Sequence, residues 1–194
     1  MAPQPEQLGL RERKKIKTRA LIRAEAMRLF EEQGYESTTI EQIAEAADVS
    51  PSTFFRYFPT KERVVLVDDL DDPTIAALEK IPLDVPPLTA FRQAFEKTLS
   101  EMTEEQVEIE LARSRLMFSV PALRAAFTVE LYRSIDFAVE VLAERMGRSP
   151  DDTRLRVLVG AMTGAVLAMA GTAPQDLRYP IRALELLEAG LPVE

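Results

Sequence analysis

The stretch Thr38-Thr39-Ile40-Glu41-Gln42-Ile43-Ala44-Glu45-Ala46-Ala47-Asp48-Val49-Ser50-Pro51-Ser52-Thr53-Phe54-Phe55-Arg56-Tyr57-Phe58-Pro59-Thr60-Lys61-Glu62 decides the fold. Two short helical patterns flank Asp48. The first opens at Thr39, whose hydroxyl can cap the helix while Gln42, three residues on, reaches back; Thr38 with Glu41 offers a competing register. The second opens at Ser50, with Pro51 in the first turn where a missing N–H costs nothing, and it stops before Pro59. Ala44 and Val49 are spaced as the two buried contacts of a helix-turn-helix require, and a residue as small as Ala lets the second helix cross closely. Asp48 falls in the turn, where a left-handed backbone is expected and Asp tolerates it better than most residues.

Working outward, no strand-like alternation persists, and the whole chain reads as all-α. Before the motif, a helix over residues 14–33 carries Ile22, Ala26, Leu29 and Phe30 on one stripe, with Gly34 as its stop. After it, Thr60 caps a helix that continues through Val64, Val65, Val67 and Asp68 toward Lys80. Three prolines within 81–87 mark a corner. Helices then follow over 88–102, from the capping box Thr103-Glu104-Glu105-Gln106 to Phe118, from Pro121 to Gly147, and from the cap Ser149-Pro150-Asp151-Asp152 to Gly171. A last helix over 175–189 is interrupted near Pro180. The division expected is a helix-turn-helix domain over 11–63 and a helical body over 64–194.

Composition narrows the chemistry. Apolar residues make up 46% and charged residues 29%, as in a folded chain. There is no Cys and no His, so thiolate nucleophiles, zinc-thiolate sites and the commonest general base are missing. No paired-carboxylate motif for a metal stands out. An enzyme is not expected, nor a metal or cofactor. The polar start Met1–Glu6 carries no signal-peptide core. The uncharged run 157–173 is short for a membrane span and interrupted by Gly160, Thr163, Gly164, Gly171 and Thr172. The expectation is a cytoplasmic protein with no membrane partner.

Net charge is −8, which at first argues against nucleic acid. Its distribution reverses that. Residues 1–63 hold 11 Lys/Arg against 10 Asp/Glu, net +1, while the remainder holds 13 against 22, net −9. Arg11, Arg13, Lys14, Lys15, Lys17, Arg19 and Arg23 stand against Glu12 alone across 11–23. Such an arm suits phosphate contact, and a solvated helix start accounts for it equally well. The second helix of the motif presents Ser52, Thr53, Arg56 and Tyr57; in a major groove, Arg reads guanine and hydroxyl groups contact bases or phosphates.

The ordered set Ile22, Ala26, Leu29, Phe30, Gly34, Tyr35, Thr38, Thr39, Ile43, Ala44, Ala47, Val49, Ser50, Thr53, Tyr57, Phe58, Lys61 and Glu62 resembles the DNA-binding domain of the TetR family of bacterial transcriptional regulators. The resemblance covers the first third of the chain. It implies DNA contacts at Lys17, Thr38, Thr39, Ser50, Ser52, Thr53, Arg56, Tyr57 and Lys61. Thr39 and Ser50 serve as pure caps in the alternative reading, and Tyr57 as packing with a polar tip. Two positions depart from the family pattern. Asp48 stands where Gly is usual, and Phe54-Phe55 where Leu-Tyr is usual, so the Tyr hydroxyl contact is not carried onto Phe55, which keeps only an apolar one.

The resemblance further implies a double-stranded DNA operator as partner, a pocket for a small effector among the middle helices, and a homodimer through the last two. Candidate pocket residues are Phe91, Phe95, Leu111, Arg115, Phe118, Phe127, Leu131 and Met162, with ordinary core as the alternative for the apolar ones and exposed surface for Arg115. The segment Ala112-Arg113-Ser114-Arg115-Leu116 with Pro121-Ala122-Leu123-Arg124 is similar to members with acyl-CoA-like ligands, so a small apolar or amphipathic effector is expected. Gly160, Gly164 and Ala168 recur every four residues as a smooth strip; with Leu155, Leu184 and Leu187 they form the candidate dimer face, intrachain packing being the alternative. The function expected is a ligand-responsive repressor on a near-palindromic operator. The alternative is a ligand-blind regulator or activator with the same head.

Overall fold

The computed structural model describes residues 9–67, 69–170 and 176–191, and among these every regular element is a helix. In chain order they are α1 (Leu10–Gln33), α2 (Ile40–Ala46), α3 (Pro51–Tyr57), α4 (Lys61–Leu66), α5 (Asp71–Leu78), α6 (Pro87–Ser100), α7 (Glu104–Ser119), α8 (Pro121–Met146), α9 (Thr153–Ala170) and α10 (Tyr179–Glu188). The segment Met1–Glu6, Asp68, the expected helix end at Gly171 and the expected start at Gln175 lie outside the described residues.

Local signals fix most boundaries. Thr39 caps α2 in a complete capping box: the Gln42 N–H donates to its hydroxyl at 3.2 Å and its own N–H donates to Oε1 of Gln42 at 2.9 Å. That settles the register in favour of Thr39 over Thr38. Thr103 and Gln106 repeat the arrangement at the start of α7. Gly34 (φ 86°) and Gly147 (φ 61°) take the backbone conformations that end α1 and α8.

Two boundaries differ from the sequence expectation. The helix after Thr60 does not run on to Lys80. It stops at Leu66 and restarts at Asp71, with Asp71, Asp72 and Pro73 in the new first turn. The break is held from outside, because Arg23 of α1 donates to the Val67 carbonyl at 2.8 Å. Pro180 does not interrupt the last helix. It opens α10, where a residue without an N–H fits.

The head, α1 to α3, does not bury its core alone. Ile22, Ala26, Phe30, Ile43, Phe54 and Phe58 share one cluster with Val64 and Val65 of α4, Met117 of α7 and Leu123 of α8. The expected boundary after residue 63 therefore falls inside α4, a helix with its apolar face in the head's core. In the body, α9 packs against α10 and α8, and α5 against α6. Arg145 of α8 ties the proline corner to the body by donating to the carbonyls of Leu78, Ile81 and Pro82. By length and composition α9 is apolar enough to cross a membrane, yet only 22% of it is buried within this chain.

The turn between α2 and α3 is built as its spacing demands. The Val49 N–H donates to the Ala44 carbonyl at 2.9 Å, and Asp48 takes φ 51°. A left-handed conformation costs an L-residue about 1–2 kcal/mol that Gly escapes. Asp48→Gly is therefore expected to raise stability by roughly 0.5–1 kcal/mol after the greater backbone entropy of Gly is set against the relief. A urea midpoint below that of the parent would show instead that the Asp side chain holds the turn.

Candidate nucleic-acid interface

The outer face of α3 gathers the groups expected to meet DNA. Phe54 is buried on the inner side, which fixes the helix's rotation and turns Ser52 and Arg56 outward, with Thr53 and Tyr57 half-buried beside them. The Arg56 guanidinium lies 5.3 Å from the centre of the Tyr57 ring, a cation–π contact that holds both side chains on one face. Ser50 spends its hydroxyl locally. It accepts from the Thr53 N–H at 3.1 Å and also lies within hydrogen-bond distance of the Ser52 and Thr53 hydroxyls. These three hydroxyls form one exposed cluster at the start of α3.

Phe55 is 49% exposed on the same helix, its ring edge-on to Phe54 at 5.7 Å. An aromatic ring left in water on a helix with this polar company is an apolar contact surface, suited to a thymine methyl. Sequence reasoning kept only that role for it and left it out of the candidate contacts. The signal that would have found it is the rotation set by Phe54: once that ring is inside, its neighbour is out.

Two expected contacts are corrected. Thr38 is 1% exposed. Its hydroxyl donates to the Gly34 carbonyl at 2.8 Å and accepts from Gln33 at 3.2 Å, so it locks the α1–α2 turn and does not face a groove. Lys61 is half-buried, with its ammonium donating to the carbonyls of Tyr35 and Thr38 at 2.8 and 3.0 Å and lying 4.3 Å from the Tyr35 ring centre. Two of its three protons are committed to the same turn. Thr39 is exposed and Lys17 lies on the exposed N-terminal part of α1.

Perturbed ionisation follows burial here. Burial pushes the Tyr35 phenol well above its ordinary value. The Glu62 carboxyl is held below the usual carboxylate range, first by its own backbone N–H. Arg23, read as part of the basic arm, is 2% exposed; burial lowers its pKa, with Asp69 opposing the shift. It faces the interior and not a phosphate.

The expected pocket residues do not converge on one cavity. Leu111 lines a cleft of about 310 Å³ with Leu99, Val107, Asp176, Leu177 and Arg178. Arg115 borders a second cleft of about 210 Å³ between α1 and α7 and pairs with Glu31 at 3.0 Å. Phe118 and Phe127 meet edge to face at 6.1 Å and pack against the head's core, so they belong to the seam between head and body. Phe91, Phe95, Leu131 and Met162 line neither cleft.

The expected dimer face divides in the same way. Leu155 is 2% exposed and Leu184 is fully buried; both are interior to the single chain and are corrected on that ground. Gly164 and Ala168 are exposed, and Gly160 and Leu187 are half-buried. A Cβ added at Gly160 or Gly164 would meet nothing within 4 Å. Close packing inside this chain therefore does not explain why these positions are small.

The chain matches the family model for bacterial regulatory proteins of the tetR family over residues 22–66 and that for the MftR C-terminal domain over 85–192. It is 38% identical over 155 residues to the HTH-type transcriptional regulator TcmR of Streptomyces glaucescens, covering 76% of this chain and 69% of that one. To the HTH-type transcriptional regulator RutR of Escherichia coli (strain K12) it is 29% identical over 122 residues, covering 62% and 57%. Among solved structures it resembles Thermus thermophilus FadR, a TetR family transcriptional repressor in complex with lauroyl-CoA, with a TM-score of 0.54 and 26% identity, covering 91% of this chain and 96% of that one.

Proposed function

This chain belongs to the TetR family of bacterial regulatory proteins, and we propose that it is a ligand-responsive repressor that binds a near-palindromic operator as a homodimer. That it is a DNA-binding transcriptional regulator and not an enzyme follows from the family itself. The observation that carries the rest is α9. Val157, Ala161, Gly164 and Ala168 form one exposed stripe on it, with Val157 65% exposed, and Leu186 of α10 is exposed alongside. An apolar helix face with two uncrowded glycines suits the close approach of the same helices from a second chain. A two-fold dimer carries two copies of α3, and two heads about one DNA turn apart read an inverted repeat. In this reading Lys17, Thr39, Ser50, Ser52, Thr53, Arg56 and Tyr57 make the contacts, joined by Phe55.

We assign the effector to the cleft beside α6 and α7, where Leu99, Val107, Leu111 and Leu177 offer an apolar wall and Arg178 a cation at the rim. That lining fits an acyl chain with an anionic head, and the lauroyl-CoA bound by Thermus thermophilus FadR supports the same class. The cytoplasm, where DNA and acyl thioesters meet, is its place of action. Thermal unfolding with lauroyl-CoA tests the effector. A ligand at a hundred times its Kd stabilises the folded state by about 2.7 kcal/mol, which shifts Tm by several degrees. Release of the operator at the same concentration is expected. No shift with lauroyl-CoA or lauric acid would remove the acyl class and favour the ligand-blind regulator.

A further inference from the structure

We propose that a buried charge cluster at the seam between head and body positions the recognition helix, with Asp69 and Glu110 as positioning residues for operator binding. The proposal rests on α3 being the helix that faces DNA. Arg19 and Arg23 stand one turn apart on α1. Arg19 pairs with Asp69 at 2.6 Å, and Arg23 pairs with the same carboxylate. Arg23 also donates to the Val67 carbonyl and lies 3.7 Å from Glu110 of α7. Glu110 in turn accepts from Arg113 at 2.6 Å, and Arg113 donates to the Val65 carbonyl at 3.1 Å. The cluster therefore touches α1, the end of α4, the α4–α5 break and α7.

Its link to α3 is Phe58, the residue that ends that helix. The guanidinium carbons of Arg19 and Arg23 each lie 5.7 Å from the centre of its ring, and the ring itself is fully buried against Phe54. Arg23, Glu110 and Arg113 are all nine-tenths or more buried. Charges taken that far from water are a poor source of net stability, since well-packed apolar groups would serve as well. What charge-assisted hydrogen bonds supply is direction and a fixed distance. Here they fix where two guanidinium groups sit on the ring that closes α3. Glu110 precedes Leu111, a cleft residue, and Arg113 lies two residues before Arg115 on the same helix. A displacement of α7 thus reaches Phe58 through no more than two side chains.

The test uses the full chain and a duplex selected by the parent protein, with binding measured by fluorescence anisotropy across a series of KCl concentrations. Asp69→Asn and Glu110→Gln are each expected to weaken binding about tenfold, within the range seen for coupled residues that touch no ligand. The slope of log K against log salt should stay the same, because no phosphate contact is lost; a lost contact would change it by about 0.9. Combining either variant with Phe58→Leu should add little beyond the larger single effect, as expected of residues acting in one path. Binding within about twofold of the parent by folded Asp69→Asn and Glu110→Gln would overturn the proposal. So would fully additive losses with Phe58→Leu. Tighter binding with a steeper slope in Asp69→Asn would also overturn it, since Asp69 would then merely hold Arg19 away from phosphate. If Glu110→Gln does not fold, Asp69→Asn decides alone, because that carboxylate is partly exposed. A wrong assignment of α3 shows separately, as unchanged binding when Arg56 and Tyr57 are replaced.

Discussion

Arg56→Ala combined with Tyr57→Phe is expected to abolish measurable operator binding while leaving fold and dimer intact. Arg56 is exposed, and its contact within the chain is the ring of Tyr57, worth about 0.5–1 kcal/mol at such a site. Tyr57→Phe keeps the half-buried ring and removes the hydroxyl. Stability should hardly move, because neither change opens a cavity or strands a buried polar group. Binding should move greatly. A bidentate Arg–guanine contact discriminates by about 1–3 kcal/mol, and a two-fold dimer loses it twice, which is about a hundredfold or more before the hydroxyls are counted. Gel shift measures the loss, and thermal unfolding controls for the fold. Unchanged affinity would mean that another surface reads the DNA.

The second large effect is expected from Gly164→Arg. Within one chain the change is mild: nothing lies within 4 Å of the new Cβ, and Arg is a better helix former than Gly by close to 1 kcal/mol. Between two chains it is severe, because a long cation would sit where two α9 helices approach. Sedimentation should show a monomer of near-parent helical content. Operator affinity should fall by about 10²–10⁴, the usual worth of linking two weak sites. A variant that remains a dimer would move the interface elsewhere, with the exposed Val129, Tyr132 and Phe137 of α8 as the next surface to examine.

Both variants rest on features that differ in how openly the chain displays them. The caps at Thr39, Ser50 and Thr103 join groups three residues apart, so sequence alone reveals them, and the structure has each in place. The left-handed turn at Asp48 is equally local. Thr38 and Lys61 were not legible as scaffold, because what buries them is a turn 23–26 residues from Lys61 in sequence. Leu155 and Leu184 carry the same apolar signal whether they face a neighbouring helix or a second chain, and only tertiary packing separates the cases.

The break after Leu66 sits between these extremes. Asp71-Asp72-Pro73 is a helix start that a reader of the sequence can find, since Pro restricts the residue before it and two acids favour a first turn. What ends α4 is distant, the reach of Arg23 to the Val67 carbonyl. Phe118 and Phe127 follow the same logic. Their spacing showed a helix face, but not that the face belongs to the head's core. The seam was least visible because its parts come from residues 19, 23, 58, 69, 110 and 113, which no periodicity connects.

The measurement that bears most directly on the central claim is a selection of duplexes from a random-sequence pool by the full chain at moderate salt, followed by footprinting of the recovered sites. An inverted repeat with half-sites about one helical turn apart, each protected in the major groove and lost with Arg56→Ala, is the predicted result. Recovery of no preferred sequence, or of a single asymmetric site protected by one head, would contradict the two-fold regulator described here.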